Sequence, residues 1–489
     1  MSRRNWILLA TLIAATGARL WRIDQPFVDP WSWRQSDVAA IARNYFTGGF
    51  HFAYPQIDWA GDAAGFVGTE FPVLPFIAAL CYKVAGVHEW IGRLQSVVFF
   101  AFGAVFFFRL VERLFGARAA LWATFFYAFA PLSIATSRAF MPDMPSLSLA
   151  LAGIFFHVRW LDRDRPRDFV GAAALLAAAL LIKITTAIVA APLLYLFVAA
   201  VYDRQRAATT GGGRPPLQLI LLFAAVVLLP SVIWYWHAHQ IALRYYPHHF
   251  FGAGGFVLEP LSWYARIAKQ TVLSSLTPVL ALFGVVGLLI APRGKFRRLF
   301  HWWAAAMLIF IVAVGWGNRH QWYQLPLVPI AAVFAGCACE RLARSPLVAA
   351  AVAMLFLANS AVATQPFFRP AAAPLREAGL ALKQITPRVA LIIAADDGDP
   401  TIFYYAERKG WHFLEQDGVF YGNPLDAAQL IADYEKLRAR GASYLVFPFG
   451  THWWLEYYGE FARHLAATAE LVSETSQFAI YKIRSPRSE

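Results

Sequence analysis

Charged residues are scarce in this sequence. Asp, Glu, Lys and Arg together make up 15% of its 489 residues, whereas soluble domains carry about 25%. Apolar residues make up 59%. A chain of this composition has too few polar groups to cover its apolar surface with water-facing side chains. We therefore infer that lipid solvates much of it and that it is an integral membrane protein.

Cysteine is also rare, and the common nucleotide-binding and hydrolase motifs are missing. The three cysteines, Cys81, Cys337 and Cys339, lie in apolar stretches and show neither a disulfide framework nor the spacing of metal ligands. The sequence contains no G-x-G-x-x-G, P-loop, G-x-S-x-G or H-E-x-x-H pattern. Cytoplasmic nucleotide chemistry is therefore unsupported.

The net charge is +13, and many of the positively charged residues lie in short loops. Lys and Arg cluster at residues 3–4, 109–118, 159–167, 204–214, 293–298 and 341–344. This is the positive-inside signature of membrane proteins. The basic residues are not interleaved with aromatic residues as in single-strand-binding proteins, so we do not expect a nucleic-acid partner.

Taking each basic cluster as cytoplasmic predicts a polytopic α-helical protein with about eleven transmembrane helices. The inferred location is the inner (cytoplasmic) membrane, with a cytoplasmic N-terminus. The predicted spans are 6–21, 91–111, 118–135, 145–160, two within 169–202, 217–236, 271–291, 301–316, 325–340 and 346–364. Residues 169–202 are too many for one span, so we place a break near Lys183.

Segment 71–87 is apolar enough to resemble a span. A span there would put the basic cluster at 109–118 outside, so we predict an interfacial or re-entrant helix. The chain divides into a transmembrane domain, residues 1–364, and a small extracytoplasmic α/β domain, residues 365–489. Predicted strands at 389–394, 444–449 and 476–483 and a helix at 427–440 support the second domain.

Acidic and basic side chains recur at the predicted outer ends of the spans. Asp37 lies in Trp33-Arg34-Gln35-Ser36-Asp37, on a predicted surface helix, and spacing alone favours a solvated Asp37–Arg34 pair. Glu70 precedes a predicted helix and Asp143 lies at the start of another. A carboxylate at a helix N-terminus interacts favourably with the helix dipole. A charge within the membrane has a high free-energy cost. Lys183 therefore either extends its ammonium group to water or has a functional role.

Six further candidate residues lie on the same predicted outer side of the membrane. They are Arg138, His248, His249, Arg319, His320 and Tyr323. Adjacent histidines cannot easily ligate one ion, so hydrogen bonding to phosphate or sugar hydroxyls is favoured over metal binding. Asp58 and Asp62 are expected to be solvated loop acids, and residues 396–399 to form a turn.

The order and spacing of several short motifs resemble the membrane-embedded GT-C glycosyltransferases. The resemblance is to glycosyltransferase family 39, with the protein O-mannosyltransferases and the lipid A aminoarabinose transferase. The motifs lie at 33–44, 70–75, 86–94, 137–143 and 181–183. The chain departs from the aminoarabinose transferases at Phe71, where they have Lys, and it lacks the usual Asp-Glu pair in the first loop.

The resemblance implies an inverting transfer of a sugar from a polyprenyl-phosphate donor to an extracytoplasmic acceptor. Asp37 would be the general base, with Glu70 and Asp143 as further acids that orient the acceptor or hold a divalent cation. The donor phosphate would be neutralised by Lys183, Arg138 and Arg319, and the substrate would be contacted by Arg34, His248, His249, His320 and Tyr323. The alternative is a multi-pass transporter or lipid flippase. Such folds usually show repeated halves, and no internal repeat stands out here.

Overall fold

The computed structural model describes residues 2–207, 217–250, 255–292, 294, 296–416 and 418–484. Their contacts define two compact units. Unit 1 comprises Met1–Ile23, Arg93–Trp234 and Ala253–Pro366, and unit 2 comprises Asp24–Gly92, Tyr235–Gly252 and Phe367–Glu489. Unit 2 therefore combines the C-terminal region with two earlier segments of the chain, and the predicted boundary at residue 364 stays a prediction.

Helices dominate the chain. In order they are α1 (Arg3–Leu20), α2 (Ser32–Gly48), α3 (Val73–Ala85), α4 (Glu89–Phe115), α5 (Ala117–Phe129), α6 (Pro131–Thr136), α7 (Asp143–Arg163), α8 (Pro166–Ile182), α9 (Ala190–Ala207), α10 (Leu217–Arg244), α11 (Leu261–Gln270), α12 (Pro278–Ile290), α13 (Leu299–Val314), α14 (Leu327–Leu342), α15 (Pro346–Thr364), α16 (Ala373–Ile385), α17 (Thr401–Ala406), α18 (Ala427–Ala439), α19 (Trp453–Tyr457) and α20 (Gly459–Thr468).

The predicted polytopic membrane architecture is confirmed. Within the described part of the chain, seven helices are long and apolar enough to cross a membrane, or eight if a bent pair counts as one span. The other three predicted spans fall on α1, on α5 with α6, and on α8. Helices α5 and α8 are shorter and α1 is richer in arginine, and the predicted span 118–135 is divided, because α5 ends at Phe129 and α6 begins at Pro131. The count of eleven stays a prediction.

The apolar run around Lys183 is divided as predicted. Helix α8 ends at Ile182, and Lys183 has extended backbone dihedrals. A 3₁₀ segment, Ile184–Val189, leads from it into α9. The break places the Lys183 side chain at the junction of two helices instead of in the middle of one.

The predicted span 271–291 is wrong as a single straight helix. A π-helical segment, Thr271–Leu276, ends at Thr277, and the chain bends there by 104° before α12 begins at Pro278. Proline is well suited to the first helical position, and the Thr277 hydroxyl accepts a hydrogen bond from the Leu280 amide at 3.3 Å. Pro278 is therefore the local signal for this helix start.

Segment 71–87 forms α3, a helix of 13 residues. At about 1.5 Å per residue it is roughly 20 Å long, too short to cross a bilayer core of about 30 Å. It belongs to unit 2 and contacts α2, where the Tyr45 and Phe76 rings lie 5.5 Å apart. The length agrees with the prediction that this segment does not span.

Unit 2 contains the predicted small α/β domain. Its strands are β1 (Leu391–Ala394), β2 (Lys409–His412), β3 (Glu415–Gln416), β4 (Val419–Phe420), β5 (Ala442–Pro448), β6 (Ala469–Glu474) and β7 (Phe478–Ile483). Five form one sheet in the order β2-β1-β5-β7-β6. Strand β1 pairs in parallel with β2 and β5, and β7 pairs antiparallel with β5 and β6.

Reporter fusions test the predicted orientation. We expect fusions after residues 115, 165 and 295 to report the cytoplasm, because these positions lie within basic clusters, and fusions after 55, 255 and 370 to report the outside. The measurement is the activity of a compartment-specific reporter at each position. A cytoplasmic signal at 370 would overturn the outer placement of the α/β domain.

Candidate functional site

Asp37 is buried in unit 2. Helix α2 buries nearly all of its N-terminal half, polar side chains included, and Asp37 is only 3% exposed. Its Oδ1 accepts a hydrogen bond from the Trp59 indole N–H at 2.9 Å. The Arg34 guanidinium lies 2.5 Å from the Glu70 carboxylate. The solvated Asp37–Arg34 pair expected from spacing alone is therefore wrong, because both side chains are buried.

The environment of Asp37 raises the pKa of its carboxyl to about 6. Burial is the largest cause, since it disfavours the charged form. The hydrogen bond from Trp59 and the charges of Arg34 and His412 lower the pKa, and the charge of Asp399 raises it. Asp37 is thus mostly ionised at pH 7, with a pKa close enough to neutrality for a general base.

Two residues of the C-terminal region extend this cluster. His412 Nδ1 lies 2.7 Å from Asp396 Oδ1, and the His412 and Trp59 rings are 5.2 Å apart. Burial alone lowers the pKa of His412, but the carboxylates of Asp396, Asp37 and Asp399 outweigh it and the net shift is upward. Burial raises the pKa of Asp396. The imidazole is therefore held beside three acids.

Sequence reasoning missed His412, Asp396 and Asp399. Residues 396–399 do form a turn, in which the Gly398 amide donates to Asp396 at 3.1 Å, but Asp396 is buried and Asp399 is partly buried. The direction of strands β1 and β2 is the signal that could have indicated these residues. Asp396 follows β1 closely and His412 ends β2, and these strands are parallel. The carboxyl ends of parallel strands are where sites form in α/β sheets.

Hydrogen bonds join α2 to the same turn. The Ser32 hydroxyl donates to Asp399 at 2.7 Å, and the Ser36 and Thr401 hydroxyls are 3.0 Å apart. Burial raises the pKa of Asp399 to about 6, against the hydrogen bonds from Thr401 and Ser32 that lower it. The N-terminal half of α2 is thereby fixed to the loop after β1.

Of the two predicted loop acids, Asp58 differs from the expectation that it is solvated and Asp62 agrees with it. Asp58 is buried, 2.5 Å from the Arg43 guanidinium, and accepts from Asn44 at 2.9 Å. The expectation that it is solvated is wrong, because Arg43 reaches it from α2. Asp62 is half-exposed and lies 2.7 Å from Arg440.

The histidines 248 and 249 have different surroundings. His248 is exposed, and its Nδ1 lies 3.0 Å from the Ala242 carbonyl oxygen. The His249 ring lies 5.2 Å from the Trp59 ring, edge to face. Burial and the charges of Arg34 and His412 lower the pKa of His249 to about 4. His249 therefore joins the Asp37 cluster as a neutral ring.

Lys183 and Asp143 form a buried ion pair in unit 1. The Lys183 ammonium lies 2.6 Å from the Asp143 carboxylate and 4.8 Å from the centre of the Tyr323 ring. Lys183 is 8% exposed and Asp143 4%. The alternative in which Lys183 snorkels to water is therefore wrong. The pair lies in a pocket whose other walls are mainly apolar and aromatic, including Leu147, Ile188, Val189, Trp303, Phe310 and Trp322.

The remaining predicted cations of unit 1 have other surroundings. Arg138 is buried and donates to the Arg22 carbonyl oxygen at 2.8 Å. Arg319 is exposed, with its guanidinium 4.8 Å from the centre of the Trp316 ring. The His320 ring stacks on Trp322 at 4.6 Å. Among the described residues, Lys183, Asp143 and Tyr323 line the pocket, whereas Arg138, Arg319 and His320 are outside its lining.

The predicted metal ligands are already matched with side-chain cations. Glu70 contacts Arg34, and Asp143 contacts Lys183. Within the described ranges, no group of three or more His, Cys, Asp or Glu side chains is arranged to hold a metal ion. Binding of a divalent cation by Glu70 and Asp143 therefore stays a prediction.

Comparison with known proteins agrees with this architecture. Residues 69–234 match the family model of dolichyl-phosphate-mannose-protein mannosyltransferases. The fold is similar to that of ArnT from Cupriavidus metallidurans bound to undecaprenyl phosphate, with 16% identity and a TM-score of 0.66 over 100% of this chain and 99% of that one. The chain has a GT-C glycosyltransferase fold. The predicted resemblance is thereby confirmed.

A second GT-C protein shows the same fold. The archaeal oligosaccharyltransferase AglB from Archaeoglobus fulgidus, in complex with an inhibitory peptide and a dolichol-phosphate, has a TM-score of 0.61 and 13% identity. The match covers 100% of this chain and 76% of AglB. No curated protein matches the chain in sequence. The family-model match contains Glu70, Arg138, Asp143 and Lys183, and it begins after Asp37.

Proposed function

We propose that this GT-C protein is an integral membrane glycosyltransferase that transfers a sugar, with inversion, from a polyprenyl-phosphate donor to an extracytoplasmic acceptor. Two solved relatives carry lipid phosphates of this class, undecaprenyl phosphate in ArnT and a dolichol-phosphate in AglB. The polyprenyl tail requires an apolar path and the phosphate requires a cation. The pocket at Lys183 has a cation beside apolar and aromatic walls.

The Lys183–Asp143 pair is the observation that carries this proposal. An ammonium group in an apolar pocket is costly unless a negative charge accompanies it. Asp143 supplies that charge, and a donor phosphate can take its place or share the ammonium, because phosphate is a strong acceptor of charge-assisted hydrogen bonds. The aromatic and aliphatic walls suit the first isoprene units. We assign donor binding to Lys183 and extend the role to Arg138 and Arg319 as secondary cations.

Asp37 is our candidate for the general base. Its carboxylate would accept the proton of the acceptor hydroxyl while that oxygen bonds to the anomeric carbon. The bond from the anomeric carbon to the phosphate oxygen breaks, and polyprenyl phosphate leaves with the electron pair. A base is most effective when its pKa lies near the working pH, and burial brings the pKa of Asp37 to about 6.

A transfer assay with the intact membrane protein tests the function. Purified protein in liposomes is supplied with a radiolabelled polyprenyl-phosphate sugar, and label is followed into a water-soluble or lipid acceptor fraction from envelope extract. We expect label transfer with release of polyprenyl phosphate. Movement of donor between leaflets without transfer would favour the flippase. Native mass spectrometry that finds no bound polyprenyl phosphate species after incubation with donor would contradict the proposal.

The pH dependence of transfer tests the base. Asp37 loses its charge as pH falls through about 6, so we expect turnover to drop about tenfold for each pH unit well below that value. Trp59→Phe removes the indole N–H that favours the ionised form, so the midpoint should move to higher pH. The readout is the acid limb of turnover with saturating donor. An unshifted limb in well-folded Trp59→Phe would contradict the assignment of that limb to Asp37.

A further inference from the structure

A basic cleft lies at the far end of α7 from Asp143. Arg109, Glu112 and Arg113 of α4 and Phe155, Arg159 and Arg163 of α7 line an open cleft of about 310 Å³. Asp143 is the first residue of α7 and Arg163 the last, and 21 residues span roughly 30 Å. The cleft is therefore about one bilayer core away from the Lys183 pocket and separate from the proposed transfer site.

The cleft has an excess of positive charge. The Arg113 guanidinium contacts the Asp162 carboxylate, Arg159 lies 3.1 Å from Asp168, and Arg4 lies 2.7 Å from Glu112. Arg109 and Arg163 have no carboxylate within 4.0 Å among the described residues. Two of the four lining arginines are thus matched with acids, the lining Glu112 is matched by Arg4, and the guanidinium groups of Arg109 and Arg163 are left facing the cleft.

The form of the cleft favours a lipid over a free ion. Both helices are candidate membrane spans, so their shared end lies where headgroups meet water. Phe155 forms an apolar wall, with the Arg159 guanidinium 5.5 Å from its ring centre. Arginine binds phosphate oxygens through paired N–H groups, and basic pockets between spans bind anionic headgroups.

We propose that this cleft binds the phosphate headgroup of an anionic phospholipid, with Arg109 and Arg163 as the main contacts. An acyl chain would pass along Phe155. The site is independent of the proposed transferase activity, so its presence or absence leaves that proposal unchanged.

Lipid titration of the full-length protein tests the site. Delipidated protein in detergent is titrated with dioleoyl-phosphatidylglycerol or dioleoyl-phosphatidylcholine and examined by native mass spectrometry. We expect the anionic lipid to bind more tightly. The double variant Arg109→Gln, Arg163→Gln should bind it roughly 25-fold more weakly, at about fivefold for each charge near an anionic headgroup. Arg344→Gln, an exposed arginine after α14, is the matched control and should bind as the wild type does.

Three results would overturn the proposal. They are equal binding of the two lipids by wild type, unchanged phosphatidylglycerol affinity in the folded double variant, and displacement of the lipid by excess inorganic phosphate, which would make this a site for the free ion. If the double variant fails to fold, each single variant should bind phosphatidylglycerol about fivefold more weakly than the wild type. Equal affinity of both folded single variants and wild type would likewise overturn the site.

Discussion

Asp37→Asn is expected to lower turnover by roughly 10²–10⁴-fold while donor affinity stays close to that of the wild type. The amide keeps the size of the side chain and can still pair with Trp59, but it cannot accept the acceptor's proton. The measurement is the initial rate of sugar transfer from a polyprenyl-phosphate donor, with donor binding followed separately. Near wild-type transfer would remove Asp37 as the base and move the search to Asp143 or Glu70.

Stability distinguishes loss of the base from loss of the fold. The pKa of Asp37 is raised from 3.8 to about 6 in the folded protein, so the folded state binds this proton more tightly than the unfolded chain does. Ionisation therefore costs stability progressively between those two pH values, and the cost is complete above about pH 6. A neutral Asn avoids it. We expect the variant to unfold at the same temperature as the wild type or at a higher one at pH 7.5.

Asp62→Asn is the matched control for this experiment. Asp62 lies in the same unit, but it is half-exposed and contacts Arg440. An exposed pair of this kind contributes about 0–1 kcal/mol. We expect unchanged transfer and unchanged stability. A loss of transfer as large as that of Asp37→Asn would mean that the assay responds to any acid of unit 2.

Lys183→Met is expected to raise the dissociation constant for the donor roughly 10- to 100-fold, the range for losing a hydrogen bond to a charged group. It should also destabilise the protein, because Asp143 then remains as a buried carboxylate without its cation, at about 3–5 kcal/mol. The measurements are equilibrium binding of a polyprenyl-phosphate sugar and thermal unfolding in the same detergent.

A double variant separates these two effects. In Lys183→Met, Asp143→Asn the buried pair is replaced by neutral groups of similar size, so stability should recover most of the loss. Donor affinity should stay low if the ammonium binds phosphate directly, whereas Lys183→Arg should keep much of it. Recovered affinity in the double variant would mean that Lys183 serves only to neutralise Asp143.

Local patterns in the sequence predicted much of the architecture. Hydropathy and the basic clusters located helices at each predicted span, and the excess length of 169–202 located the break at Lys183. Alternating and β-branched runs located β1, β5 and β7. The bend at Thr277 was missed because hydropathy continues through it, although Pro278 marks the new helix start.

The sequence by itself determined the membrane character, the order of the apolar segments and of three strands, and the positions of single candidate residues, because hydropathy and periodicity act between near neighbours. The tertiary structure decided which groups meet. It placed Asp37 beside Trp59, Glu70 beside Arg34 and Asp143 beside Lys183, and it brought Asp399 to Ser32 across 367 positions. Burial and pKa depend on such contacts, and no local pattern encodes them.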